Sequence, residues 1–182
     1  PVTFPGNVEV CGDGIDQDCS GADDLPDVDL DGYVDSYYAI IEGIRPTPPA
    51  RKAGPWGYDQ QIRYEATGKI EAPTGLGIVK EFEYLATHTT KPTKVTCAGP
   101  LTFGSRIRPG DVYGSTVEIA EEFAHVINQE LKDLVTQGAT LVQIDEPARG
   151  NVTGQEMARL YNMATEGVDA KLAYHICFGN RF

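Results

Sequence analysis

Apolar residues show no regular period before about residue 60; beyond it they alternate over one segment and then gather into short runs separated by helical stripes. The first of these segments, QIRYEATGKI over 61–70, suits a β-strand. After Thr74 the residues Ile78, Val79, Phe82 and Leu85 share one helical face. KVTCAGP, 94–100, reads as a short strand that stops at Gly99 and Pro100. Ser115 with Glu118 has the form of a capping box, and Ile119, Ala120, Phe123, Ile127, Leu131 and Leu134 mark a long amphipathic helix ended by Gly138. TLVQID, 140–145, is a second strand, closed by Glu146 and Pro147. Thr153 with Glu156 caps a further helix, with Met157, Leu160, Tyr161 and Ala164 inward, and KLAYHIC, 171–177, is the next strand.

Near-continuous apolar strands alternating with capped helices predict an α/β fold with a parallel sheet under helices. In such folds chemistry gathers at the carboxyl ends of the strands. Cys97 and Gly99, then Asp145 and Glu146, then His175 and Cys177 all fall there. Residues two apart on a strand point to one side, so the His175 imidazole and the Cys177 thiol are expected to face a common space as half of a zinc site. The same periodicity suits an open doubly wound sheet and a barrel.

The acidity is local. Residues 1–36 hold Glu9 and nine aspartates with no Lys or Arg, so −10 of the net charge of −12 falls there and −2 on the rest. That distribution points to bound cations and away from a nucleic-acid surface. Residues 1–44 are read as an acidic, cation-binding segment, 45–60 as a Pro/Gly-rich linker or arm, and 61–182 as the folded α/β part. No run of 18 apolar residues and no signal-peptide pattern occurs. The start at Pro1 suggests a processed or excised piece. Cys11 and Cys19 are close enough for a small disulfide loop, while Cys97 and Cys177 sit at the ends of apolar runs as reduced thiols or ligands do.

From about Ile62 onward, VTCAGPLTF, INQELKDLVTQGA, VQIDEPA and HICFGN together resemble the C-terminal catalytic barrel of cobalamin-independent methionine synthase. The resemblance implies a partial (βα)₈ TIM-type barrel preceded by an irregular acidic segment. It further implies zinc-dependent methyl transfer from N5 of methyltetrahydrofolate to the thiol of homocysteine. By that resemblance His175 and Cys177 are zinc ligands, Asp145 with Glu146 binds the amino-acid substrate, and Gly99 and Thr102 lie in a strand-end loop on the folate side. The family's other zinc ligands, a Glu and a Cys, and its catalytic His would come from later strands. A complete barrel takes roughly 250 residues and the resemblance covers about half that, so the expectation is a fragment inactive alone, with a partner chain or missing segment completing it. A corrinoid-dependent thiol methyltransferase of the same superfamily is the alternative.

EVCGDGIDQDCSGADD resembles a Cys/Asp-rich metal-binding motif of secreted bacterial proteins, with departures at Gly12, Gln17 and Ser20. In DVDLDGYVD, Asp27, Asp29, Asp31 and Asp35 occupy calcium-loop positions 1, 3, 5 and 9, with Gly32 at the turn. Tyr38 replaces the bidentate Glu of an EF-hand, so a thrombospondin- or dockerin-like Ca²⁺ loop is expected. The methyltransferase reading predicts a cytoplasmic protein with small-molecule substrates; a secreted calcium-binding module with a Cys11–Cys19 disulfide is the competing expectation. Tyr37, Tyr38 and Trp56 are read as packing residues.

Overall fold

A computed structural model of the chain describes residues 35–51, 60–147 and 152–176. The chain divides between Ser36 and Tyr37, and the second unit runs from Tyr37 to Phe182. Its elements are α1 (Asp35–Tyr38), β1 (Glu42–Arg51), β2 (Gln60–Glu71), α2 (Ile78–His88), β3 (Val95–Ala98) and α3 (Pro100–Gly104). They continue as β4 (Ile107–Arg108), α4 (Thr116–Thr136), β5 (Leu141–Asp145), α5 (Gly154–Thr165) and β6 (Lys171–His175). Two three-stranded sheets result, in the orders β1-β2-β4 and β3-β5-β6. Among the described residues no helix is long and apolar enough to cross a membrane.

The β3-β5-β6 sheet is parallel throughout, as the apolar runs predicted. Cys97, Val142 and Ile144 are fully buried on one face, whereas Thr96, Gln143, Asp145 and Ala173 on the other are only half-covered. The register sets Ala98 beside Asp145 and Asp145 beside His175, so the carboxyl ends form one row. Strand alternation therefore puts the polar candidates on the open face and commits Cys97 to the covered one.

α4 packs against α2, α3, α5 and β2. Ile119, Phe123, Ile127, Leu131 and Leu134 are all completely buried, and each side chain contributes about 1.5–3 kcal/mol by leaving water. Phe123 stacks on Phe103 of α3 at 4.9 Å between ring centroids, and Phe103 meets Tyr37 and Tyr38 edge-on at 5.6 and 6.0 Å. Tyr38 also stacks on Tyr64 of β2 and donates its hydroxyl to the Phe103 carbonyl at 2.5 Å. These aromatics hold the β1-β2-β4 sheet to the α3–α4 pair, and Tyr37 and Tyr38 are packing residues as the sequence suggested. Among the described residues packing thus reaches back to Tyr37, well before residue 61.

The expected linker is the largest difference. Its described portion, Arg45–Arg51, belongs to β1 and pairs antiparallel with β2. Proline lacks the N–H a central strand needs, but β1 flanks β2 on one side only, and the register slips between Thr47 and Ala50, where Pro48 and Pro49 lie. The capping signals hold with one change. Thr153 and Glu156 form the full reciprocal box, whereas Ser115 accepts from the Glu118 N–H while the Glu118 carboxylate reaches back to the N–H of Gly114. On α2 only Ile78 and Phe82 of the predicted face are buried, and Leu85 is exposed.

The stripe of α4 also contains an acid. Glu130 lies between Ile127 and Leu131, is 2% exposed, and accepts from the backbone N–H groups of Leu76 at 2.8 Å and Val79 at 3.1 Å. It serves the first turn of α2, whose N-cap Gly77 has no side chain to do so. Gly75, at φ 74°, lies against the same carboxylate. Glu130→Leu keeps the volume and orphans one buried and one part-buried donor. Urea unfolding is expected to show a loss of about 1–3 kcal/mol for each orphaned N–H, and an unchanged midpoint would contradict this capping role.

Candidate functional site at the carboxyl ends of β3, β5 and β6

The three parallel strands end together and are tied across their ends. The Gly99 N–H donates to the Asp145 carbonyl at 2.7 Å, and the Glu146 N–H to the His175 carbonyl at 2.9 Å. Beyond these ties the two carboxylates of the Asp145–Glu146 pair diverge, because consecutive residues leave a strand on opposite sides.

Asp145 stays on the open face. Its Oδ1 accepts from Gln143 Nε2 at 2.6 Å and lies 3.0 Å from His175 Nδ1. The Asp145 side chain is 18% exposed and that of His175 53%. Asp145 and His175 are thereby brought together, 30 residues apart in sequence, with the imidazole open to a ligand.

Glu146 turns the other way. It is 1% exposed, and its carboxylate accepts from the Leu101 N–H at 3.0 Å, the Thr102 N–H at 2.6 Å and the Thr102 hydroxyl at 2.5 Å. The acid expected to touch substrate instead satisfies the first N–H groups of α3, where a negative charge is favoured. Gly99 and Thr102 belong to this buried cluster. A Cβ on Gly99 would collide with the Glu146 carboxylate, so the strand end requires glycine for close approach rather than for an unusual φ. Burial pushes the Glu146 acid up to about 7, against the three hydrogen bonds that pull it down.

Cys97 is fully buried on the covered face, with its thiol pushed up by burial first and by nearby acids second. A thiol so held is a small apolar filler and not a ligand. Tyr174, on that same face, packs against Tyr161 of α5 at 4.5 Å. Cys177, Asp27, Asp29 and Asp31 lie outside the described residues, as does the side chain of Asp35. Gln143 was not singled out from the sequence; its signal was a polar residue two positions before Asp145 in an apolar run.

A carboxyl group whose folded pKa is raised favours the native state most below the unfolded value and loses that contribution as pH rises through the folded one. The Tm of the native chain minus that of Glu146→Gln should therefore fall between about pH 4.5 and 7 and level off above it. A flat difference would show that Glu146 does not titrate there. Gly99→Ala should cost about 1–3 kcal/mol in urea unfolding by overpacking against Glu146.

Known proteins resemble the chain in two places. The family described as "Cobalamin-independent synthase, Catalytic domain" matches residues 65–180, and a metal-binding motif of the copper-binding MopE type matches residues 1–24. A methionine synthase of Saccharolobus solfataricus is 31% identical over 158 residues, covering 85% of this chain and 46% of that protein. A methionine synthase of Thermococcus kodakarensis is 32% identical over 149 residues, covering 80% and 43%. A solved B12-independent methionine synthase from Shewanella sp. W3-18-1, in complex with selenomethionine, is similar at a TM-score of 0.63 and 25% identity, covering 79% of this chain and 42% of that one. The chain spans less than half the length of each of these three relatives. With the family match extending over β3, β5 and β6 and the row of residues at their ends, the chain belongs to the cobalamin-independent synthase catalytic-domain family.

Proposed function

We propose that this chain supplies one side of a site that methylates the thiol of homocysteine to give methionine. The observation that carries the reading is the pairing of Asp145 with His175 at 3.0 Å on adjoining strand ends, in a chain of this family. The names of its relatives support the reaction, and the selenomethionine bound by the Shewanella protein supports a methionine-like product. The βα repeat from β3 to β6 supports a partial (βα)₈ barrel as the framework. The cobalamin-independent family favours a folate methyl donor over a corrinoid one.

Zinc is part of this proposal, and the described residues suit it in one respect. Among them both partners of Asp145 sit on Oδ1, and a carboxylate on Nδ1 of a histidine is the usual backing of a metal-ligating imidazole. His175 and Cys177 would supply two of the three or four ligands that zinc takes. Among the described residues no group of three His, Cys, Asp or Glu side chains is placed to hold a metal. Bound there, the ion would lower the pKa of the homocysteine thiol so that a thiolate exists near neutral pH. Asp145 would present its second oxygen to the substrate ammonium while Gln143 and His175 steady the first. Glu146, through α3, would keep the Gly99–Thr102 turn in place beside it.

Asp145→Asn should weaken homocysteine binding roughly 10- to 100-fold by calorimetry on the zinc-loaded chain, the equivalent of a charge-assisted bond of about 1.5–3 kcal/mol. Equal affinity in the two proteins would remove Asp145 from the substrate site. The metal-motif match over residues 1–24 also supports a cation-binding role for the acidic segment. Asp27, Asp29, Asp31 and Asp35 offer hard oxygen ligands suited to Ca²⁺. Calorimetry of a peptide of residues 8–38 should show calcium uptake; no heat with calcium would end that reading.

A further inference from the structure

The Asp145 carboxylate is held from two sides, and its two holders are not equally firm. His175 Nδ1 lies 3.0 Å from Oδ1, on a side chain that is 53% exposed. Gln143, half-buried, donates Nε2 to the same oxygen at 2.6 Å. The other end of that amide is occupied too, because Lys94, exposed just before β3, donates Nζ to Gln143 Oε1 at 2.8 Å. An ammonium group only donates and a carboxylate only accepts, so one orientation of the amide bonds both. Gln143 and Asp145 are two apart on β5, roughly 6–7 Å along one face, a gap that the Gln side chain spans. Its neighbours across the sheet, Thr96 and Ala173, leave it room to lie along the strand. Among the described residues Oδ1 takes every hydrogen bond made to the Asp145 carboxylate and Oδ2 takes none.

We propose that Gln143 is a positioning residue that makes the site selective for ligands with a free α-ammonium group. A carboxylate held by one donor swivels about its side-chain bonds and offers either oxygen to water, whereas a second donor from another direction fixes it. Gln143 supplies that second bond from within β5, the strand that carries Asp145, so the bond persists whichever way the exposed imidazole turns. Oδ2 keeps its lone pairs for a donor arriving from the open face, and a cationic N–H gains most there. A carboxylate already fixed pays no ordering cost when that donor arrives. Lys94 acts one step further out, by holding the amide that holds the acid.

The selectivity rests on the homocysteine reading above, in which Asp145 meets the substrate ammonium, while the hold on Asp145 can be measured without any ligand. On the whole chain without metal, NMR three-bond couplings from the Asp145 carboxyl carbon to its own backbone nitrogen and carbonyl report whether the side chain keeps one rotamer. One rotamer is expected in the native protein and averaged couplings in Gln143→Met, which keeps the length and loses both polar ends. Lys94→Met should fall between the two, with far-UV circular dichroism unchanged in both variants. Calorimetry on the zinc-loaded chain then compares homocysteine with 4-sulfanylbutanoate, the same thiol acid without its amino group. Gln143→Met should lose about 10-fold of the preference for homocysteine, the scale of one hydrogen bond, and bind the amine-free thiol as the native chain does. A residue with a merely structural role would weaken both ligands alike. A native chain with no preference for homocysteine would remove Asp145 from the substrate site and the selectivity with it. A native preference that Gln143→Met retains in full, or Asp145 couplings that it leaves unchanged, would overturn the role of Gln143 alone.

Discussion

A carboxylate withdrawn from water must be given donors, and Glu146 receives three from a single short helix. Its burial ties the carboxyl end of β5 to the first turn of α3, and α3 presents Phe103 to Phe123, Tyr37 and Tyr38. The open face of the sheet depends on this bond, since the chain direction after Asp145 is set by where Glu146 must go. The close approach leaves no space for a side chain at Gly99, so the end of β3 is fixed by the same group. The cost is a carboxyl held near neutrality, which breaking any one donor would leave worse off.

The two adjacent acids divide the labour by direction. Glu146 goes inward and is spent on the scaffold, while Asp145 goes outward and stays in reach of a ligand. Substrate sites in parallel α/β folds lie at strand ends because there the backbone stops pairing and side chains become available. Here the availability is selective. Cys97, only one position from the row that holds Asp145 and His175, faces the covered side and is inert. Glu130 repeats the Glu146 device elsewhere, as a buried carboxylate serving the start of a helix that lacks its own cap.

The parallel strands and the two long helices were legible because local signals agreed: apolar runs for β3, β5 and β6, a stripe with a serine cap for α4, a full capping box for α5. Asp145 and His175 were legible as a pair because strand-end position is a topological rule. Strand β1 was not, since its prolines outweigh its extended character until an antiparallel partner with a slipped register accommodates them. The short helix after Gly99 was hidden for a different reason. Its first donors are satisfied by Glu146, 44 to 45 residues away in the chain, and no local pattern announces that. Glu146 itself was placed at the substrate because burial direction at a strand end cannot be read from an Asp-Glu-Pro string. Gln143 needed the distances to Lys94 and Asp145 before it meant anything.

Central to the proposed function is the proposal that the strand-end row holding Asp145 and His175 is one wall of a thiol-activating metal site. Zinc-edge X-ray absorption on the zinc-loaded chain, with and without homocysteine, tests it most directly. The account predicts scattering from imidazole nitrogen and from sulfur near 2.3 Å, roughly the usual zinc–thiolate distance, with the sulfur contribution growing when homocysteine is added. A shell of oxygen and nitrogen alone, unaltered by homocysteine, would contradict it.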